Sequence, residues 1–173
     1  MARVLIIGCG CRGLALAQGL RERGHAVRGT TRDSARLDVL EAAGVDAVLA
    51  DPDRIMTIVP TFEHVTVACI LLGSAVGAEE RVRALHAPRL DMLLTKLVDT
   101  TVRAILYEAR GAAPADALAS GAARVRAVAQ DAVIPYALLE ADPVHYDAWV
   151  DAALAAIDRM LTVEVSAGSG RPA

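Results

Sequence analysis

The sequence is poor in aromatic residues and in lysine. Only 3% of its 173 residues are Phe, Trp or Tyr, although 54% are hydrophobic. The core must therefore be built from Ala, Val, Leu and Ile, which is typical of helices packed on a buried parallel sheet. Lys96 is the single lysine, and the net charge of −3 includes no basic stripe. Nucleic acid is therefore not an expected partner.

Cysteine and long apolar runs are also scarce. The three cysteines, Cys9, Cys11 and Cys69, are too few for a disulfide framework. The first apolar run starts at residue 4 and soon meets glycines instead of a cleavage site, so it does not resemble a signal peptide. No window approaches the roughly 18 apolar residues that would cross a bilayer. We expect a cytoplasmic protein without a membrane partner.

Short apolar runs alternate with amphipathic segments along the chain. The runs predict strands at about 4–7, 25–31, 45–50, 65–72, 102–107 and 133–139. Helical spacing predicts helices between them, and Pro88 predicts a kink or restart in the fourth. Strands separated by helices imply parallel neighbours and right-handed crossovers. The sequence therefore predicts an α/β Rossmann fold, a doubly wound parallel sheet of six strands in three layers with order 3-2-1-4-5-6.

The predicted domain spans residues 1–162, and residues 163–173 are expected to form a mobile C-terminal tail. Its last helix, at about 146–161, carries an apolar stripe. The stripe consists of Val150, Leu154, Ile157 and Leu161. This spacing favours either a core position or a homodimer contact through the C-terminal helix.

A glycine-rich turn after the first strand indicates a chemistry. Gly8, Gly10 and Gly13 form G-x-G-x-x-G between a buried strand and a helix, the context of a dinucleotide-binding unit. Gly8 permits the tight turn, Gly10 lets a diphosphate approach the backbone, and Gly13 lets the helix lie close to the sheet. The amide groups at the start of the helix favour phosphate. The residues expected around the diphosphate are Gly8, Cys9, Gly10, Cys11, Arg12 and Gly13.

The end of the second strand favours NADP(H) over NAD(H). An NAD site usually carries Asp or Glu there, which accepts hydrogen bonds from the ribose. This chain has Thr30, Thr31 and Arg32, whose hydroxyls and guanidinium suit a 2′-phosphate. Arg12 could reach the same phosphate or stack on the adenine. NAD(H) stays the alternative, because Asp33 could reach the ribose, although it is better placed as a helix cap.

Five stretches carry a family resemblance: GCGCRGLALA (8–17), VRGTTR (27–32), Ala50-Asp51, CILLGS (69–74) and IPYALLEADP (134–143). Through them the chain resembles the nucleotide-binding core of atypical short-chain dehydrogenases/reductases, the NmrA-like and NAD-dependent epimerase/dehydratase group. The last stretch is similar to the I-P-Y-T-x-L-R-P strand of NmrA-like proteins. The resemblance implies that Asp51 lies near the adenine and that Leu72 and Gly73 run beside the cofactor.

The chain departs from that superfamily at its catalytic residues. The resemblance implies a Tyr-x-x-x-Lys pair, in which Lys lowers the Tyr pKa for proton transfer. Here Tyr107 is followed four residues later by Gly111, Tyr136 is followed by Glu140, and Lys96 has no tyrosine four residues before it. The sixth strand lacks the usual Arg-Pro, and no segment suits a substrate-binding subdomain. We therefore expect an NADP(H)-binding protein with a sensor or accessory role.

A small NADPH-dependent oxidoreductase or epimerase-like enzyme is the alternative, so the sequence leaves enzymatic activity open. Its non-standard site would lie at the ends of strands five and six and could be completed by a dimer partner. The candidate catalytic residues are Tyr107, Glu108, Glu140 and His145. The more ordinary interpretation of these positions is a surface ion pair and a helix cap.

Metal and redox chemistry have little support in the sequence. The four histidines do not share a metal-ligand spacing, so no metal is expected. Cys9 and Cys11 lie at a helix start, where a thiolate would be stabilised, and a redox role is conceivable. The more ordinary interpretation is that both are small residues that fill a tight turn.

Overall fold

The computed structural model describes residues 1–168 of the chain and the side chains of residues 1–162. Six strands alternate with seven α-helices. The strands are β1 (Arg3–Ile7), β2 (Ala26–Thr31), β3 (Asp46–Leu49), β4 (Val67–Ile70), β5 (Ala104–Glu108) and β6 (Tyr136–Leu139). The helices are α1 (Cys11–Glu22), α2 (Leu37–Ala42), α3 (Ile55–Ile58), α4 (Glu79–Leu85), α5 (Pro88–Val98), α6 (Ala115–Asp131) and α7 (Tyr146–Gly168). Short 3-10 turns at Ser34–Arg36 and Val59–Phe62 adjoin α2 and α3.

The strands form one parallel sheet in the order β3-β2-β1-β4-β5-β6. The predicted Rossmann-like architecture is therefore confirmed, including the strand order. The break at Pro88 is a restart, because α4 ends at Leu85 and α5 begins at the proline. Proline suits the first turn of a helix, where its missing amide hydrogen is not needed.

Both faces of the sheet are buried, as the continuous apolar runs predict. Side chains alternate along β1, so Val4 and Ile6 pack on one side while Leu5 and Ile7 pack on the other. The first side carries α1 and α7, and the second carries α5 and the turn around Phe62. This arrangement leaves the carboxyl ends of the strands, where their loops begin, as the place for a ligand.

The apolar stripe of α7 belongs to the core. Leu154 and Ile157 are buried, and Val150 and Leu161 pack against the same cluster beside α1. The stripe therefore packs in the core, and a homodimer through the C-terminal helix stays a prediction. The helix continues to Gly168, past the predicted domain end at 162, and residues 169–173 of the predicted mobile tail lie outside the described residues.

Within the described residues, none of the helices combines the length and the hydropathy of a membrane span.

Candidate functional site

A cleft of about 850 Å³ opens at the carboxyl ends of β1, β2, β4 and β5. Eleven of the twelve positions predicted to contact a cofactor line it. These are Gly8, Cys9, Gly10, Cys11, Arg12, Gly13, Thr30, Thr31, Arg32, Asp51 and Leu72. The glycine motif and the strand ends therefore converge on one site.

The glycine turn has the geometry that its sequence predicts. Gly8 has a φ of +84°, and a Cβ placed there would lie 2.7 Å from the carbonyl oxygen of Leu71. Only glycine fits such a position without strain. Gly10 faces open space, with no atom within 4 Å of an added Cβ. A Cβ on Gly13 would lie 3.3 Å from the Cγ2 atom of Ile6, so α1 runs close to the sheet.

Thr30 and Thr31 form hydrogen bonds that hold the backbone around the cleft. Thr30 is 1% exposed, and its hydroxyl accepts the N–H of Gly8 while its carbonyl accepts that of Cys9. The Thr31 hydroxyl accepts the N–H of Asp33, and the carboxylate of Asp33 accepts the N–H of Ala35. Asp33 is thus a cap, as predicted. The Thr30 hydroxyl therefore holds the glycine turn and the Thr31 hydroxyl holds the backbone at Asp33, and a contact of either hydroxyl with a 2′-phosphate stays a prediction.

Two arginines border the cleft beyond β2. Arg32 is exposed and Arg36 is half-buried, and both line the cleft. Within the described residues neither guanidinium forms an ion pair. The sequence pattern does not single out Arg36 as a cleft residue. It ends the 3-10 turn that Asp33 caps, and this turn brings its side chain to the cleft.

Glu108 forms the inner end of the cleft and is only 1% exposed. Its Oε2 atom accepts the N–H of Gly73 at 2.8 Å, and its Oε1 atom lies 3.4 Å from Nη2 of Arg12. Burial raises the pKa of the Glu108 carboxyl, and the Arg12 charge opposes this shift only in part. The Arg12 guanidinium also lies 5.3 Å from the ring centroid of Trp149, a cation–π distance.

Gly73 is the one predicted cofactor contact that does not line the cleft. Its N–H is used by Glu108 and its carbonyl accepts the N–H of Ala113. A Cβ at this position would lie 2.9 Å from Cγ of Glu108. Gly73 therefore provides room for the Glu108 side chain. The resemblance implies a direct contact between Gly73 and the cofactor, whereas Gly73 lies behind Glu108 in the structure.

Tyr107 does not face the cleft, contrary to its predicted role. Neighbouring side chains on a strand point to opposite faces, so the orientation of Glu108 toward the cleft sends Tyr107 beneath α6. Its hydroxyl lies 2.7 Å from Nδ1 of His86 and packs against Gly121. Burial raises the pKa of Tyr107 and lowers that of His86, so both groups are neutral.

Glu140 and His145, the two other catalytic candidates, are exposed and do not line the cleft. The neighbouring Asp142 pairs with Arg110 at 2.6 Å and accepts the N–H of Val144. The end of β6 therefore has the ordinary features of an ion pair and a cap. Of the four candidates only Glu108 lies in the cleft.

The cysteines of the turn differ in their surroundings. Cys9 is buried, and burial raises the pKa of its thiol to about 11, so the thiol stays protonated at neutral pH. Cys11 is exposed. The structure favours the interpretation of Cys9 as a small core residue of the turn. Among the described residues, no three His, Cys, Asp or Glu side chains gather as metal ligands.

No protein-family model and no curated protein matches this chain. Solved structures of similar fold include a short-chain dehydrogenase/reductase superfamily protein from Agrobacterium tumefaciens with bound NAD, with 16% identity, a TM-score of 0.65, and coverage of 79% of this chain and 48% of that one. A UDP-glucose 4-epimerase from Thermotoga maritima with UDP-glucose has 13% identity, a TM-score of 0.66, and coverage of 79% and 54%. BdcA from E. coli has 17% identity, a TM-score of 0.69, and coverage of 90% of both chains.

The chain spans about half the length of the dehydrogenase and of the epimerase. At these identities the likeness shows a shared Rossmann-like fold. The residues of the cleft therefore have to carry any argument about function.

The Tyr107–His86 contact predicts a structural role. Tyr107→Phe should lower the free energy of unfolding by about 1–3 kcal/mol, because Nδ1 of His86 loses its buried partner. Ligand affinity should not change. Urea unfolding and a ligand titration measure the two effects. Tyr136→Phe is the control, since its half-buried hydroxyl has no hydrogen bond within the described residues. If Tyr107→Phe keeps the stability of the wild type but binds the ligand more weakly, the Tyr107 hydroxyl belongs to the ligand site and the structural role is wrong.

The buried carboxyl of Glu108 predicts a pH dependence of stability. Because its pKa is raised, the folded state holds the proton more tightly than the unfolded state, and stability falls as pH rises above the ordinary value of 4.5. Glu108→Gln removes this effect. The melting temperature of the variant should therefore exceed that of the wild type by a margin that grows from pH 4.5 toward neutrality.

The control for this comparison is Glu41→Gln, because Glu41 is exposed on α2 and distant from the cleft. Its melting temperature should follow that of the wild type at every pH. A margin for Glu108→Gln that is constant, or that shrinks as pH rises, would contradict the assignment of a raised pKa.

Proposed function

We propose that this protein is a cytoplasmic NADP(H)-binding protein that lacks the catalytic pair of short-chain dehydrogenases and acts as a sensor or accessory module. The observation that carries the proposal is the combination of an open glycine turn at the start of α1 with Arg32 and Arg36 beyond β2, which form no ion pair in the described part of the chain. The turn suits a diphosphate, and the arginines suit a further phosphate on the adenosine side.

The size of the cleft and its open glycine turn support binding of a dinucleotide. Its volume of about 850 Å³ lies within the usual range for pockets that bind small ligands. Gly10 leaves open space above the start of α1, so a diphosphate can approach the amide groups there. Asp51 lines the β3 side of the cleft, where the resemblance places the adenine.

The preference for NADP(H) is supported by the charges near β2. The carboxylate of Asp33 accepts the N–H of Ala35 through Oδ1 and thereby caps the following turn, so only part of its acceptor capacity is left for ribose hydroxyls. Arg32 and Arg36 add two positive charges beside it. A guanidinium binds phosphate oxygens in a planar, bidentate manner, which favours a ligand with a 2′-phosphate.

A sensor or accessory role is supported by the positions of Lys96 and Tyr107. Lys96 is exposed on α5 and does not line the cleft, and the Tyr107 hydroxyl is paired with His86. A tyrosine whose pKa is lowered by a lysine is therefore not part of the described cleft. A bound dinucleotide would supply hydride chemistry, and this chain would bind and orient it without that pair.

Catalysis is a second candidate function, and Glu108 is the observation that favours it. A buried carboxyl with a raised pKa inside a ligand cleft is a common form of general acid or base. NADPH consumption with a panel of carbonyl compounds tests this function. Turnover that disappears in Glu108→Gln would favour the enzyme over the sensor.

Calorimetric titration with NADPH and NADH tests the proposal. Arg32→Ala and Arg36→Ala should each weaken NADPH binding by roughly 10- to 100-fold, since a charged hydrogen bond contributes about 1.5–3 kcal/mol. NADH binding should change little, because it has no 2′-phosphate. Arg126→Ala is the matched control, an exposed arginine on α6 that does not line the cleft.

Absence of saturable binding by both nucleotides would overturn the proposal. If the arginine variants lose affinity for NADPH and NADH equally, the cleft binds a dinucleotide but the arginines do not select the 2′-phosphate.

A further inference from the structure

The inner end of the cleft contains several buried polar atoms without partners. Trp149 is 0% exposed and its Nε1 atom donates no hydrogen bond within the described residues. The Nε atom of Arg12 and the Oγ atom of Ser74 are likewise buried and unpartnered. Oε1 of Glu108 lies 3.4 Å from Nη2 of Arg12, a long contact, and the Glu108 carboxyl also accepts a backbone hydrogen bond from Ser74. All four side chains line the same cleft.

Buried polar atoms in proteins nearly always have hydrogen-bond partners. A carboxylate can accept about four hydrogen bonds, so Glu108 keeps acceptor capacity beside these unpartnered donors. Together they indicate a ligand group that both donates and accepts. An anionic group would be repelled by Glu108 whenever its carboxyl is ionised, and a cationic group would be repelled by Arg12. A neutral carboxamide satisfies both sides, since its NH₂ donates to a carboxylate and its oxygen accepts from N–H groups.

The order of the strands places this subsite relative to the rest of the cleft. Ser74 follows β4 and Glu108 ends β5, whereas Arg32 and Arg36 follow β2. The glycine turn after β1 lies between these two sets, because β1 separates β2 from β4 in the sheet. A ligand that contacts both sets of residues must therefore place its own middle part over the start of α1.

We propose that Glu108, Arg12, Ser74 and Trp149 form a subsite for a neutral carboxamide, at the opposite end of the cleft from the arginines beyond β2. This inference rests on the proposed function, in which the carboxamide is that of the nicotinamide ring. Oε1 of Glu108 accepts from the amide NH₂, and the unpartnered donors of Arg12, Ser74 or Trp149 serve the carbonyl oxygen. Oε2 stays with the N–H of Gly73, which orients the carboxylate.

Three ligands separate this inference from the proposed function. NADP⁺ carries the carboxamide, its 3-acetylpyridine analogue replaces the NH₂ with a methyl group, and 2′-phospho-ADP-ribose lacks the ring. The wild type should bind NADP⁺ roughly 10- to 100-fold more tightly than the acetyl analogue, because a buried charged acceptor loses its donor. Calorimetric titrations supply the three dissociation constants.

Two variants report on the subsite directly. Glu108→Gln can keep the bond to Gly73 through its amide oxygen but then presents NH₂ to the ligand, so the two pyridine ligands should bind with nearly equal affinity. Trp149→Phe keeps an aromatic face and removes Nε1–H, so NADP⁺ binding should weaken while 2′-phospho-ADP-ribose binding does not. Glu41→Gln should keep the wild-type preference, and thermal unfolding confirms that each variant is folded.

Equal wild-type affinity for NADP⁺ and the acetyl analogue would overturn the carboxamide subsite, as would a preference that survives in folded Glu108→Gln. Both results leave the proposed function intact when 2′-phospho-ADP-ribose still binds. Failure of all three ligands to bind would instead overturn the proposed function, and the subsite with it.

Discussion

The whole cleft depends on how closely the turn after β1 is held between its two neighbouring strands. On one side, Thr30 binds the backbone N–H groups of Gly8 and Cys9 through its hydroxyl and carbonyl oxygens. On the other side, the Leu71 carbonyl lies so near that Gly8 cannot carry a side chain. These contacts fix where α1 begins and which way its amide groups point. A ligand phosphate would use that fixed end of the helix.

The charges around the turn are arranged unevenly. Two guanidiniums that form no ion pair with the described side chains border the cleft beyond β2, while a buried carboxyl forms its end at β5. Arg12 lies between these regions and contacts both Glu108 and the ring of Trp149. A ligand with a phosphate at one end and a neutral polar group at the other matches this distribution better than a ligand with one uniform charge.

Regular patterns in the sequence predicted most of the fold, and local chemistry predicted most of the cleft. Apolar runs and helical spacing identified the strands and helices, and the glycine motif identified the turn, because both depend on neighbouring residues. The strand order followed from the alternation of strands with helices, which implies a doubly wound parallel sheet. Arg36 was missed because its position depends on a single 3-10 turn. Trp149 was missed because it reaches the cleft from α7, far along the chain. Tyr107 was misassigned although strand alternation separates it from Glu108.

Trp149 is the only tryptophan in the chain and lines the cleft, so its fluorescence reports on ligand binding there. A titration with NADPH, with excitation of Trp149, shows whether the cleft binds the dinucleotide. We expect saturable quenching of the tryptophan emission together with sensitised emission from the reduced nicotinamide, both reversed by excess 2′-phospho-ADP-ribose. Tryptophan emission that NADPH leaves unchanged, apart from simple absorption of light, would mean that the dinucleotide does not bind in this cleft.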